Sequence, residues 1–409
     1  MRCGVAQAQF RGDLAICQGK AASSAGIRRE CVQEARSVRL DTVGRVLAVA
    51  VVAVLICGAV LTGCGSDGNR AGPTISGAPV GPEFCAGKNS LTAQGSTAQQ
   101  NAIAMFNRVW GQLCPGKKVS YQPTGSGAGR EQFIAGRVDF AGSDSPLVAE
   151  QIGPAAKRCH ENPAWDLPLV FGPIALIYNL PGAATLTLDA DALAMIFSGA
   201  IRTWNDPVLV ALNPGVVLPN TSITPIYRSD LSGTTDNFQK YLTAAAPQSW
   251  AHGVGSEFHG GVGEGVQRPA GVIQAVQATP GAIGYVEKGV ADQAGLPFAQ
   301  LDTGAGAVPL TDETARNAIS AVRFATTGND LVLELKSMYE LHDAKAYPLV
   351  PATYEIVCSK GYDSDTAAAI KAFLITAVSH GQTGLAKVGY VPLPDKVKER
   401  LVTAINAIE

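Results

Sequence analysis

Charge is scarce in this chain: Asp, Glu, Lys and Arg make up 16% of its 409 residues, and the formal net charge is −2. No basic cluster with interleaved aromatics occurs, so nothing provides the broad positive field that a nucleic acid requires. Histidine is scarcer still, with five residues at positions 160, 252, 259, 342 and 380. None belongs to an HxH or HExxH pattern and no CxxC pair occurs, which removes the usual signatures of metal catalysis, structural zinc and dithiol redox chemistry. No segment repeats at a fixed period, which excludes a solenoid. Glycine, in contrast, is abundant at 45 residues, and 46% of the chain is hydrophobic. That composition suits tight turns and compact α/β packing around a large core, and the length favours two domains over one.

The N-terminal part reads as a targeting element. Arg39 and Arg45 precede an apolar run, Val46 to Val60, which ends in Leu61-Thr62-Gly63-Cys64. Leu-x-Gly-Cys after such a run resembles a bacterial lipobox, in which the cysteine is lipidated and becomes the first mature residue. A transmembrane helix is the alternative, since the run only just reaches the ~18 residues that spanning needs. Residues 1–63 are accordingly expected to form a signal segment. Residues 1–37, too long for a charged leader and bearing Cys3, Cys17 and Cys31, are expected to precede the translation start near Val38. Residues 64–84 form a Gly/Ser/Pro-rich tether.

Beyond the tether, strand-like and helix-like stretches alternate, as in α/β domains. Ile103, Phe106, Trp110 and Leu113 mark one helix face, and Ile370, Phe373, Leu374 and Ala377 mark another. Further helices are expected at 130–136, 189–197, 235–241, 266–277 and 311–322, and a last one carries Val397, Leu401, Ile405 and Ile408. Leu167 to Leu180 is extended and broken by Gly172-Pro173; Tyr347 to Val357 is extended and broken by Pro351. Two such segments suggest a chain that leaves its first domain and returns, giving domain I as 85–171 with 352–409 and domain II as 172–351. Four cysteines follow the tether. Cys85 precedes a strand and Cys114 ends the next helix, which brings them together, while Cys159 and Cys358 then lie distal to the hinge. Cys85–Cys114 and Cys159–Cys358 are the expected bridges, with four buried thiols as the alternative.

Four short segments carry the chemistry: Gly95–Thr97 (GST), Gly125–Gly129 (GSGAG), Gly142–Pro146 (GSDSP) and Arg228–Thr235 (RSDLSGTT). Each pairs glycine with a hydroxyl residue and leads into sequence that looks helical. Each would therefore present N–H groups and hydroxyls at a helix N-terminus, which is oxyanion chemistry. One such loop is commonplace. Four, with one arginine and two aspartates among them, point to a single small oxyanion, and phosphate is the first candidate.

These segments, with IRTWNDP at Ile201–Pro207, TPGAIGYVE at Thr279–Glu287 and YVPLPDKV at Tyr390–Val397, resemble the phosphate-binding proteins of phosphate-specific ABC importers, from about Leu91 to the C-terminus. The resemblance implies an α/β, two-lobed type II periplasmic-binding-protein fold of two Rossmann-like domains joined by two crossover strands. It also implies phosphate contacts from Thr97, Ala98, Ser126, Asp144, Arg228, Ser232, Gly233 and Thr234, with Ser96 and Asp230 behind them. Asp230 then orients Arg228, a helix cap being its alternative role. Ala98 and Leu231 depart from the family, standing where relatives often have an aromatic and a glycine. The partners implied are inorganic phosphate, the permease subunits of the importer and, through Cys64, the outer face of the cell membrane. The protein is expected to be a monomer without cofactor, metal or catalysis. Asp144 is instructive, because an ionised carboxylate only accepts hydrogen bonds: phosphate keeps a P–OH to donate, and sulfate does not. A phosphatase using Ser126, Ser232 or Thr97 is the rival from another class, but it lacks a base or a metal. Sulfate and molybdate are nearer rivals that Asp144 disfavours. A dinucleotide reading of GSGAG fails for want of the full G-x-G-x-x-G and a following acidic residue.

Overall fold

A computed structural model describes residues 81–409 except Ala321. The expected signal segment, the lipidation site at Cys64 and nearly all of the tether lie outside the described residues. Among the described residues no helix is long and apolar enough to cross a membrane.

Nine strands build the two main sheets: β1 (Ser90–Gly95), β2 (Lys118–Pro123), β3 (Phe140–Ser143), β4 (Ala164–Phe171), β5 (Ile174–Tyr178), β6 (Thr224–Arg228), β7 (Glu264–Val266), β8 (Ala282–Glu287) and β9 (Ala352–Cys358). The first sheet has the order β2-β1-β3-β9-β4, with β9 antiparallel to both neighbours. The second has the order β5-β8-β6-β7, with β6 parallel to β7 and β8. Central strands β8 and β9 are buried at every residue, as expected where helices cover both faces of a sheet. Edge-proximal β1 instead alternates, burying Leu91 and Ala93 and exposing Ser90 and Thr92.

Helices cover these sheets with the faces their spacing predicts. In Gln100–Leu113, Ile103, Phe106 and Trp110 are buried, while Leu113 is half-buried at the end of the helix. Ile370, Phe373, Leu374 and Ala377 are buried in Ser364–Ser379; Val397, Leu401 and Ile405 are buried in Asp395–Asn406, and Ile408 is buried just past its end. Disulfides join Cys85 to Cys114 and Cys159 to Cys358, each with Cα atoms 5.4 Å apart. The second bridge sits in a small core of its own with Phe133, Val138 and Ile356.

The two extended segments run side by side where they cross between the sheets. Gly172 N–H donates to Pro351 O at 3.1 Å, and Ile174 N–H donates to Leu349 O at 3.0 Å. A third strand of chain joins them, through a bridge between Phe171 and Val391. The excursion is not confined to one sheet. A hairpin, Arg323–Phe324 with Leu333–Glu334, reaches back to the first sheet, where Leu331 N–H bonds Asp166 O and Leu333 N–H bonds Tyr354 Oη. Leu331 and Leu333 are buried there, which supplies the driving force.

Two loop-to-helix junctions differ from expectation, and the helix expected from 266 starts at Arg268, Val266 being the end of β7. The helix expected at 130–136 begins at Ser126, inside the GSGAG loop, because Gly125 turns the chain at φ +103°. The GSDSP loop opens no helix directly, since the next one starts at Ala149 after Val148. Asp144 is thus held by side chains, without a helix terminus beneath it.

Candidate anion-binding cleft

The four loops meet at one place. The first three leave the ends of β1, β2 and β3, and the fourth leaves the end of β6 in the other lobe. Ligand sites of open α/β sheets form at such strand ends. Ser96, Ser126, Asp144, Arg228, Ser232 and Thr234 are all at most 3% exposed, and Thr97 and Ala98 are 7% and 8% exposed.

Asp144 is the centre of the first lobe's contribution. Its Oδ1 accepts from Ser96 Oγ at 2.5 Å and Thr353 Oγ1 at 2.7 Å, and its Oδ2 accepts from Ser126 Oγ at 3.0 Å. A carboxylate offers about four acceptor positions, so three hydroxyls leave about one for a guest. Burial pushes the Asp144 carboxyl up, while the hydroxyl donors and the Arg228 charge pull the other way. Ser96 also accepts from Ala98 N–H at 3.0 Å, so the N–H that the resemblance gives to the ligand is already engaged in a local turn. Ser126 Oγ likewise accepts from Asp144 N–H at 3.0 Å.

Arg228 is the second lobe's charge. It ends β6 at 2% exposure, where burial disfavours its charge, but Asp230 outweighs that by gripping Nε at 2.6 Å and Nη2 as well. The remaining nitrogen, Nη1, makes no hydrogen bond to the described residues. The same contact pulls Asp230 down against the effect of its own burial. Asp230 also accepts from Arg268 N–H at 3.0 Å; it is Ser232 that caps the helix Gly233–Ala245, accepting from Thr235 N–H at 3.2 Å. Thr234 Oγ1 donates to Glu287 Oε1 at 2.6 Å.

The lobes touch directly around this site. Gly127 N–H donates to Leu231 O at 3.1 Å, Asn237 Nδ2 donates to Asp144 O at 2.6 Å, Arg130 Nη2 donates to Ser256 Oγ at 3.3 Å, and Ser145 Oγ donates to Asp236. Leu231 contributes its backbone carbonyl, so the glycine frequent there in relatives is not required for this contact. Gly233 is required: a Cβ on it would fall 2.5 Å from Asp144 Oδ2 and closer still to Ser126 Oγ.

Ser96, Ser126, Asp144 and Gly233 lie in mutual contact, Arg228, Asp230, Ser232 and Thr234 come from the facing loop, and Thr97 and Ala98 are buried next to Ser96 in sequence. Sequence reasoning missed Thr353 on β9, Asn237 one helical turn beyond Gly233, Arg130, which donates to Ser143 Oγ at 2.9 Å, and Glu287 at the end of β8. Only Glu287 carried a signal, as the last residue of the quoted TPGAIGYVE stretch.

Comparison with known proteins identifies the family. The profile of a PBP superfamily domain matches residues 73–378. Phosphate-binding protein PstS 3 of Mycobacterium tuberculosis is 46% identical over 363 residues, 88% of this chain and 98% of the relative. Phosphate-binding protein PstS of Haemophilus influenzae is 33% identical over 314 residues, 76% of this chain and 90% of the relative. Among solved structures, the phosphate-binding protein from Stenotrophomonas maltophilia has a TM-score of 0.59 at 19% identity, covering 77% of this chain and 94% of that one, a likeness of fold. The architecture is the type II periplasmic-binding-protein fold. By descent and by fold alike, the chain belongs to the PstS family of phosphate-binding proteins within the PBP superfamily.

Proposed function

We propose that this chain captures inorganic phosphate in the cleft between its lobes and delivers it to an ABC importer. The carrying observation is the pairing of two opposed groups around one buried point. Arg228 stays charged with one nitrogen to spare, and Asp144 keeps one acceptor position after binding three hydroxyls. Such a point suits an oxyanion that still owns a hydrogen. Thr97, Ala98, Ser126, Ser232, Gly233 and Thr234 complete the proposed contact set, with Ser96 and Asp230 as its supports.

Several charge-assisted bonds of roughly 1.5 to 3 kcal/mol each exceed the ~8 kcal/mol of micromolar binding, and dehydration and closure offset the surplus. We read the protein as a binder and not an enzyme, in keeping with relatives named as phosphate-binding proteins. It acts as a monomer outside the cytoplasm, anchored through lipid on Cys64. The two bodies that close are 85–171 with 352–409 and 172–351, hinged where Gly172 meets Pro351.

Titration calorimetry with phosphate, sulfate and molybdate tests the reading. Tight phosphate binding with negligible heat from the other two is expected. Comparable sulfate and phosphate affinities would sink it.

A further inference from the structure

Glu287 ends β8 at 2% exposure, and the reading above gives it no task. Its Oε1 takes the hydroxyl hydrogen of Thr234, and its Oε2 is fully enclosed without a hydrogen-bond partner. Four groups act on it from the elements around it: Arg228 on β6, Thr234 on its helix, Asp144 in the other lobe and Tyr390 near the C-terminus. Arg228 is the cation among them, and two of its three nitrogens are spent on Asp230. Arg130 approaches Asp144 from elsewhere, while Asp236 beside it is paired with Lys240 at 2.6 Å.

In formal charge, Arg228 and Asp230 cancel. Arg130 answers Asp144, and Glu287 then places an unanswered negative charge in a closed space that must also admit an anion. Charges of one sign cannot accumulate in a buried cluster; a proton enters instead. Burial already pushes Glu287 up, and Asp144 adds to that against Arg228 and Thr234.

We propose that Glu287 is a positioning residue of the phosphate site, taking up a proton as the cleft shuts and thereby turning Thr234 into a donor toward the guest. While Glu287 is ionised, Thr234 spends its single O–H on Oε1 and presents only lone pairs to the cleft. With a proton on Oε1, that O–H donates to Thr234 Oγ1, and the threonine hydrogen is released to a phosphate oxygen. No covalent bond between heavy atoms changes; one proton moves from solvent to the carboxylate. The inference rests on the phosphate reading of the cleft.

Calorimetry with inorganic phosphate at pH 8, in two buffers of different ionisation enthalpy, counts the protons absorbed. Wild type is expected to absorb about one proton more per phosphate than Glu287→Gln, whose amide donates to Thr234 without titrating. A group whose pKa rises on binding makes binding weaken with pH, so the affinity ratio of wild type to variant should fall toward about tenfold per pH unit. Infrared difference spectra supply a signature that a merely structural role would not move. Phosphate should induce a protonated-carboxyl band in wild type that Glu287→Gln lacks. Equal proton counts, or no such band, overturn the proposal and leave the phosphate reading standing; absence of phosphate binding by wild type overturns both.

Discussion

At the scale of single residues, discrimination lies in Asp144. Three hydroxyls fix its carboxylate, so it cannot rotate away from a guest that offers only lone pairs. Replacing it with asparagine puts an N–H donor among those acceptors. Asp144→Asn is expected to weaken phosphate binding and to admit sulfate, narrowing the gap between them by about tenfold or more, as read by competition calorimetry. Gly233 matters for a different reason, because it is the point where one lobe's backbone rests on the other's carboxylate. In Gly233→Ala the added methyl should hold the lobes apart and lower phosphate affinity roughly a hundredfold. Small-angle scattering should show no compaction on adding phosphate; compaction equal to wild type would disprove the contact's role. Residue types made most of this site legible. Glycine, serine, threonine, one arginine and two aspartates in short loops already spell an oxyanion cradle. Thr353 and Asn237 were illegible, because a threonine in a buried strand and an asparagine inside a helix carry no local mark of what lies across from them.

At the scale of elements, β9 does more than fill the first sheet. Thr353 faces Asp144, and two residues on, Glu355 is buried with neither carboxylate oxygen hydrogen-bonded. Burial, with the Asp144 charge adding to it, raises Glu355 to about 8. The native state therefore keeps a proton that the unfolded chain releases near 4.5. Stability from this group is complete below that value and is lost as pH climbs through about 8. Asp166 on β4, also raised to about 8 by burial and by Asp330, acts in the same sense. Thermal unfolding should show a midpoint that declines from pH 5 to pH 8.5, and Glu355→Gln should flatten that decline; an unchanged slope would contradict it. Helix and strand positions were readable from periodicity, and Ser364–Ser379 buries the face its spacing marks. Loop-to-helix junctions were less so, since Gly125 takes its positive φ where the chain lies against Leu231 O of the opposite lobe.

At the scale of the molecule, the bridge from Cys159 to Cys358 spans a separation of 199 residues and ties the end of β9 to the end of the helix Ala149–Arg158. It lies five residues along β9 from Thr353, about 17 Å at the rise of a strand. Converting both cysteines to alanine should cost on the order of 2 to 5 kcal/mol in denaturant unfolding while leaving phosphate affinity within about twofold of wild type. A large loss of affinity would show that the bridge reaches the cleft. The two-lobed plan was legible from Gly172-Pro173 and Pro351, whereas the hairpin's return to the first sheet was not, since nothing local says which surface Leu331 and Leu333 will meet.

The lobes also bond each other directly when the cleft is shut, through Gly127 with Leu231, Asn237 with Asp144 and Ser145 with Asp236. The closed jaw is thus held by rim contacts as well as by its guest. Receptors built this way can be made keener or laxer by changes on the rim alone, so paralogues with identical cradles need not share one working concentration.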